Sequence, residues 1–121
     1  MIEQAWAEKF AREWIEGWNT HDLDRIMAHY RDDLTMTSPL IEQRMELVGG
    51  SLQGKLAVRE YWAQGLAAAP NLHFQLVGVF AGVRSIGIMF TFAALGKTVV
   101  EYLEFDDDRH VVRSEALWKV G

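Results

Sequence analysis

The feature that most narrows the fold is a change of hydrophobic period at Pro70. Before it, apolar residues recur with helical spacing; after it, they alternate. Trp6, Phe10, Trp14 and Trp18 form one stripe with Ala7, Ala11 and Ile15, and Glu8, Lys9, Arg12, Glu13 and Glu16 lie opposite. That pattern predicts an amphipathic helix from Glu3 to Trp18. Asn19-Thr20-His21 breaks it, and Asp22 is suited to cap a second helix from Leu23 to Tyr30, with Asp24 favouring its first turn. Leu34, Met36 and Ser38 share one face of a short strand ended by Pro39. Leu40 to Ser51 reads as a loop with a short strand, and Gly54 to Ala69 as a third helix stopped by Pro70.

Beyond Pro70, Leu72, Phe74 and Leu76 alternate with His73 and Gln75, up to a turn at Ala81-Gly82. Ile86, Ile88, Phe90 and Phe92 then share a face, as do Val99, Glu101, Leu103 and Phe105 after a turn at Gly96-Lys97. A polar turn at Asp106 to Arg109 leads into a last strand, His110 to Val120, with Val112, Ser114, Ala116 and Trp118 on one side. Helices first and hairpins afterwards predict an α+β fold with an antiparallel sheet, because parallel neighbours need crossover connections. No linker or repeat interrupts the 121 residues, so a single domain over 1–121 is expected.

Bulk chemistry removes several function classes. The net charge of -5 is unsuited to nucleic acid or an anionic membrane. With no cysteine there is no disulfide, thiolate nucleophile or thiolate metal site, and a reducing, cytoplasmic setting is expected. Met1-Ile2-Glu3-Gln4 does not resemble the start of a signal peptide, and the most apolar stretch, Ile86 to Leu95, is too short to span a bilayer.

Local motifs resolve to structure rather than chemistry. Gly49 to Lys55 fits the opening of a phosphate-binding loop, but Leu56 stands where a hydroxyl must meet magnesium, so it reads as a glycine-rich lead-in to a helix. Asp106-Asp107-Asp108 lacks the alternate spacing of a calcium loop and reads as a solvated turn. His21, His29, His73 and His110 form no ligand pair, so no metal or other cofactor is expected. Glu101 is the exception. A carboxylate on an apolar strand face must be paired, hydrogen-bonded or protonated, so Glu101 is a pocket acid with a raised pKa, the partner of an arginine across the sheet, or a residue of the opposite face.

Several runs, taken in order, carry a resemblance: Trp18-Asn19-Thr20-His21-Asp22-Leu23-Asp24, Tyr30 to Pro39, Leu52-Gln53-Gly54-Lys55-Leu56-Ala57-Val58-Arg59-Glu60-Tyr61-Trp62, and Glu101 to Asp108. Over nearly its whole length the chain resembles the nuclear transport factor 2-like superfamily, which includes SnoaL-like polyketide cyclases and ketosteroid isomerases. The resemblance implies a cone-shaped fold, three N-terminal helices packed on a curved antiparallel sheet that encloses a pocket. It also implies a homodimer through the outer sheet face, here carrying Val77, Met89, Ala93, Val100, Tyr102 and Leu117.

Ketosteroid isomerisation uses a carboxylate base, a tyrosine and a protonated acid that together handle an enolate. Those roles fall on Ser38, Trp14 and Glu101, of which only Glu101 keeps its chemistry. A serine is a very poor base near neutral pH, whereas Trp14 can donate one N–H. The epoxide-hydrolase branch needs aspartates and an arginine in the cavity, and the inward-facing residues include neither. The cyclase branch needs a cavity acid, which Glu101 supplies. The expected pocket is therefore Trp14, Trp18, Tyr30, Met36, Ser38, Tyr61, Trp62, Leu66, Phe74, Phe90, Phe92, Leu103, Ser114, Ala116 and Trp118 around Glu101. Such a wall suits a hydrophobic polyketide-, terpenoid- or steroid-like small molecule. The alternative is a non-catalytic ligand-binding or dimerisation module.

Overall fold

The computed structural model describes residues 1–119, and in it the change of period at Pro70 is the change from helices to hairpins. The elements in order are α1 (Gln4–Asn19), α2 (Leu23–Met27), β1 (Tyr30–Thr37), α3 (Pro39–Met45), β2 (Ser51–Gln53), α4 (Lys55–Ala68), β3 (Phe74–Ala81), β4 (Ser85–Phe92), a 3₁₀ turn (Ala93–Leu95), β5 (Lys97–Phe105) and β6 (Val111–Trp118). The strands form one sheet in the order β2-β1-β6-β5-β4-β3, with helices packed against it. No helix of the described residues is long and apolar enough to cross a membrane. Val120, assigned above to the last strand, lies outside the described residues.

The apolar stripe of α1 buries Ala7, Phe10, Ala11, Trp14, Ile15 and Trp18. Its C-terminal end is tied to the start of β3. Asn19 Nδ2 donates to the Phe74 carbonyl at 2.9 Å, and the Phe74 N–H donates back to Asn19 Oδ1 at 2.7 Å. Asp22 caps α2 by accepting from the Arg25 N–H at 3.1 Å. That helix ends at Met27, short of the expected Tyr30, because the backbone is drawn into the sheet: the Val111 N–H donates to the His29 carbonyl at 2.8 Å, and Tyr30 pairs with Val111.

Two local expectations are revised, and the Gly49-to-Lys55 run, expected as a glycine-rich lead-in to a helix, also holds a short strand. β1 and β6 pair in parallel, with Met36 beside Ser114, while every other pair is antiparallel. Most of the domain intervenes between these two strands and serves as their crossover. The segment after Pro39 is helical. Ser38 is its N-cap, accepting from the Leu40 N–H at 3.2 Å, and Pro39 takes the first turn, where its missing N–H costs nothing. The short strand in the Gly49-to-Lys55 run is β2, and the run is not a phosphate loop.

Two bulges change strand parity. The register shift between Leu76 and Gly78 leaves Val77 unpaired and turns Phe80 to the outer face. The shift opposite Glu104 and Phe105 puts Val111, fully buried, on the inner face in place of Val112. Ala93 belongs to the 3₁₀ turn and not to the outer face of the sheet. Between the bulges the register is unbroken. Ile88 lies beside Glu101 and Glu101 beside Ala116; Phe90 lies beside Val99 and Val99 beside Trp118.

Candidate functional site

From those last two cross-strand rows, Glu101, Ala116, Phe90, Val99 and Trp118 form the floor of a cavity of about 260 Å³. α1 contributes Trp14 and Trp18 to its wall, and β1 with its continuation contributes Met36 and Ser38. α3 adds Leu40 and Arg44, one turn apart on the same helix face. α4 adds Tyr61, Trp62, Gly65, Ala68 and the adjoining Ala69. Phe74, Phe90, Phe92, Ala94, Leu95, Val99, Glu101, Ala116 and Trp118 complete it from the sheet side.

The structure thus brings together most of the residues expected from the sequence: Trp14, Trp18, Met36, Ser38, Tyr61, Trp62, Phe74, Phe90, Phe92, Ala116 and Trp118 around Glu101. Four do not reach the cavity. Leu103 and Ser114 are fully buried one row further along the sheet, between Ile86 and Met36. Tyr30 is buried behind Trp14 and Trp62. Leu66 packs against the core, while Gly65 and Ala68 present their smaller surface to the cavity.

The wall is a network of aromatic rings. Trp14 meets Phe90 at 5.4 Å between centroids, Trp18 meets Trp62 at 5.2 Å, and Phe74 meets Phe90 at 4.4 Å. Pairs of this kind are worth about 0.5–1.5 kcal/mol each beyond their buried area, which holds the wall in a fixed shape.

Glu101 is 4% exposed and has neither an arginine nor any other ion-pair partner among the described residues. The cross-sheet arginine considered above is absent, since its lateral neighbours are Ile88 and Ala116. Its one side-chain hydrogen bond is a long one, donated by Ser114 Oγ at 3.4 Å. Burial pushes the carboxyl from the usual 4.5 up to about 8, the Ser114 bond opposes this, and Glu115 adds to it. Near neutral pH the group is mostly a neutral acid, which can donate a hydrogen bond or a proton.

Trp14 does not offer its N–H to the cavity. Nε1 donates to the Tyr30 hydroxyl at 2.9 Å. The oxyanion donor expected at this position is therefore already occupied. Trp18, on the same wall, has its indole Nε1 buried with no hydrogen-bond partner among the described residues. Burial and the charge of Glu101 push the Tyr30 phenol up, so it stays protonated.

Sequence reasoning found no arginine facing inward, yet Arg44 lines the cavity. A loop with a short strand over Leu40 to Ser51 gives Arg44 no inward-facing position, whereas α3 does. The Ser38-Pro39 pair, an N-cap followed by a first-turn proline, was the available signal. No aspartate or histidine lines the wall among the described residues. Ser38 is held by its capping bond and by the backbone, its N–H donating to the Gly50 carbonyl at 3.0 Å. Gly50 sits at φ +60°, where a Cβ would come within 2.8 Å of the Ser38 carbonyl oxygen, so glycine is what permits this approach.

Comparison with known proteins places this geometry. A SnoaL-like protein of unknown function from Burkholderia thailandensis is 42% identical and superposes with a TM-score of 0.93, over 99% of this chain and 100% of that one. AclR from Streptomyces galilaeus, described as a candidate hydroxylase, is 19% identical with a TM-score of 0.73, over 97% of this chain and 77% of that one. SalBIII, an epoxide hydrolase/cyclase-like enzyme in pyran ring formation, is 15% identical with a TM-score of 0.75, over 99% and 95% of the two chains. The last two likenesses concern the fold alone. No curated protein sequence matches the chain. The SnoaL-like domain profile matches residues 11–113, and with that match the chain belongs to the SnoaL-like domain family, on the NTF2-like α+β fold.

Proposed function

We propose that this protein binds a hydrophobic, oxygen-bearing polyketide-, terpenoid- or steroid-like molecule, with Glu101 as the pocket acid of an isomerase- or cyclase-type reaction in the cytoplasm. One observation carries the reading: a buried carboxyl without an ion pair, set on the apolar floor of a cavity. An ordinary core position would hold an apolar residue there, because a poorly hydrogen-bonded carboxyl lowers stability. A neutral acid in such a place becomes useful when a carbonyl or developing enolate oxygen accepts its proton or its hydrogen bond. The unpartnered N–H of Trp18 is a second donor that a ligand oxygen would satisfy.

Calorimetric titration with two probes of similar shape tests this: 2-acetylnaphthalene, a ketone, and 2-ethylnaphthalene, its oxygen-free counterpart. The ketone should bind about tenfold tighter at pH 6, and Glu101→Leu should abolish that preference while leaving the hydrocarbon's affinity nearly unchanged. Equal affinities in the wild type would sink the role given to Glu101.

A second reading, a binding module without catalysis, is favoured by the lack of any aspartate, histidine or second glutamate on the described wall. Exchange of the bound ketone's acetyl protons in D₂O, followed by proton NMR, separates the two. Exchange faster with wild type than with Glu101→Leu supports acid–base chemistry, and equal rates support binding alone.

The outer sheet face suits a homodimer. Val77, Phe80 and Leu117 are 57%, 59% and 46% exposed there, beside Met89, Val100 and Tyr102. Exposed apolar side chains grouped on one face suit contact with a second copy.

A further inference from the structure

The cavity wall carries polar groups of different character. At the floor stands Glu101, a neutral acid near pH 7. Arg44 also lines the cavity, and its guanidinium makes no ion pair among the described residues, not even with Glu42 or Glu46 beside it in sequence. The charge acting on Glu101 is that of Glu115, not Arg44. Tyr61 lines the same cavity; burial raises its phenol, Arg44 and the Ser38 hydroxyl pull it down, and Glu101 pushes it up. It is a neutral O–H donor next to a fixed cation.

Nothing in the proposed acid chemistry at Glu101 uses Arg44 or Tyr61. A guanidinium and a phenol hydroxyl at the edge of an apolar cavity match a planar anion, since an arginine fork and a carboxylate pair two donors with two acceptors. A net charge of -5 would otherwise repel such an anion, so one cation placed on the wall gains in discriminating power.

Taking the cavity to be a ligand pocket, as proposed above, we infer that its ligand is an apolar ring compound bearing a single carboxylate, which Arg44 and Tyr61 hold at one end while an oxygen at the other end meets Glu101. The carboxylate fixes which end enters first. The reacting oxygen is thereby presented to the floor acid, and neutral analogues of the same size are held less well.

The test titrates the protein calorimetrically with 6-hydroxy-2-naphthoic acid and with its methyl ester, using wild type and Arg44→Gln. Arg44 is exposed on a short helix, so its replacement leaves the core untouched. The wild type should prefer the acid about fivefold, less so in high salt, and Arg44→Gln should bind acid and ester alike. Equal wild-type affinities, or a preference that survives in Arg44→Gln, overturn the inference while ester binding leaves the ligand pocket standing. If neither compound binds the wild type, both the inference and the pocket reading fall.

Discussion

Replacing Glu101 with glutamine should make the protein more stable than wild type at high pH, and the size of the gain follows from the site. In the folded chain the carboxyl titrates near 8, against 4.5 for an ordinary glutamate. Between those values the unfolded chain has given up the proton and the folded chain keeps it. The contribution of this group to stability is therefore full below 4.5, declines as pH rises, and reaches its minimum once pH passes 8. At about 1.4 kcal/mol for each pH unit, the interval amounts to about 5 kcal/mol as an upper bound, because water entering the cavity would relax part of it. Folded domains have about 5–15 kcal/mol in total, so the effect is large. Glutamine keeps the shape and an acceptor for Ser114 but has nothing to ionise. Urea denaturation of both proteins at pH 5 and pH 9 gives the difference of differences, in which every other titrating group cancels. The expected result is a relative gain for Glu101→Gln of about 3–5 kcal/mol between the two pH values, with unchanged m-values. A change below about 1 kcal/mol would refute the claim that the carboxyl is desolvated in the folded state.

Other consequences lie elsewhere in the fold. His29 packs on Phe10 at 4.8 Å between centroids, and burial lowers its pKa, so the folded chain resists its protonation. Wild type should lose thermal stability as pH falls through 6.5, the ordinary histidine value, more steeply than His29→Gln, and parallel melting curves from pH 8 to pH 5 would contradict this. Gly50→Ala meets both a left-handed backbone and the Ser38 carbonyl, whereas Gly49→Ala at φ +89° meets only open space. Gly50→Ala should cost about 2 kcal/mol or more in chemical denaturation, and Gly49→Ala clearly less; equal costs would remove the steric argument. Phe80→Lys should convert a dimer to a monomer in sedimentation velocity, and a monomeric wild type would dismiss the outer-face interface.

The sequence was legible where periodicity runs unbroken. The parity of β5 places Val99, Glu101, Leu103 and Phe105 correctly, because β4 and β5 stay in register from Ser85 to Phe92. It was illegible where one residue is inserted. The bulges at Val77 and Val112 reverse the faces of Phe80 and Val111; Gly78 beside the first is a compositional mark of a bulge, and the second has none. α3 escaped notice because seven residues with a single buried side chain, Ile41, carry almost no helical period, and Arg44 and Leu40 were lost with it. The fate of the Trp14 N–H could not be read at all. Its partner, Tyr30, fits a helical continuation from Leu23 and becomes a strand residue only through its pairing with Val111. Propensity lost there to a tertiary contact.

The most direct test of the account is the pKa of the Glu101 carboxyl itself, read by carbon NMR of the side-chain carboxylates across pH 3 to 10, with Glu101→Gln as the assignment control. A resonance that titrates near 8 and vanishes in the variant is the predicted result. A resonance titrating at or below 4.5 would mean that the carboxyl is solvated or paired, and the pocket acid on which the proposed chemistry depends would not exist.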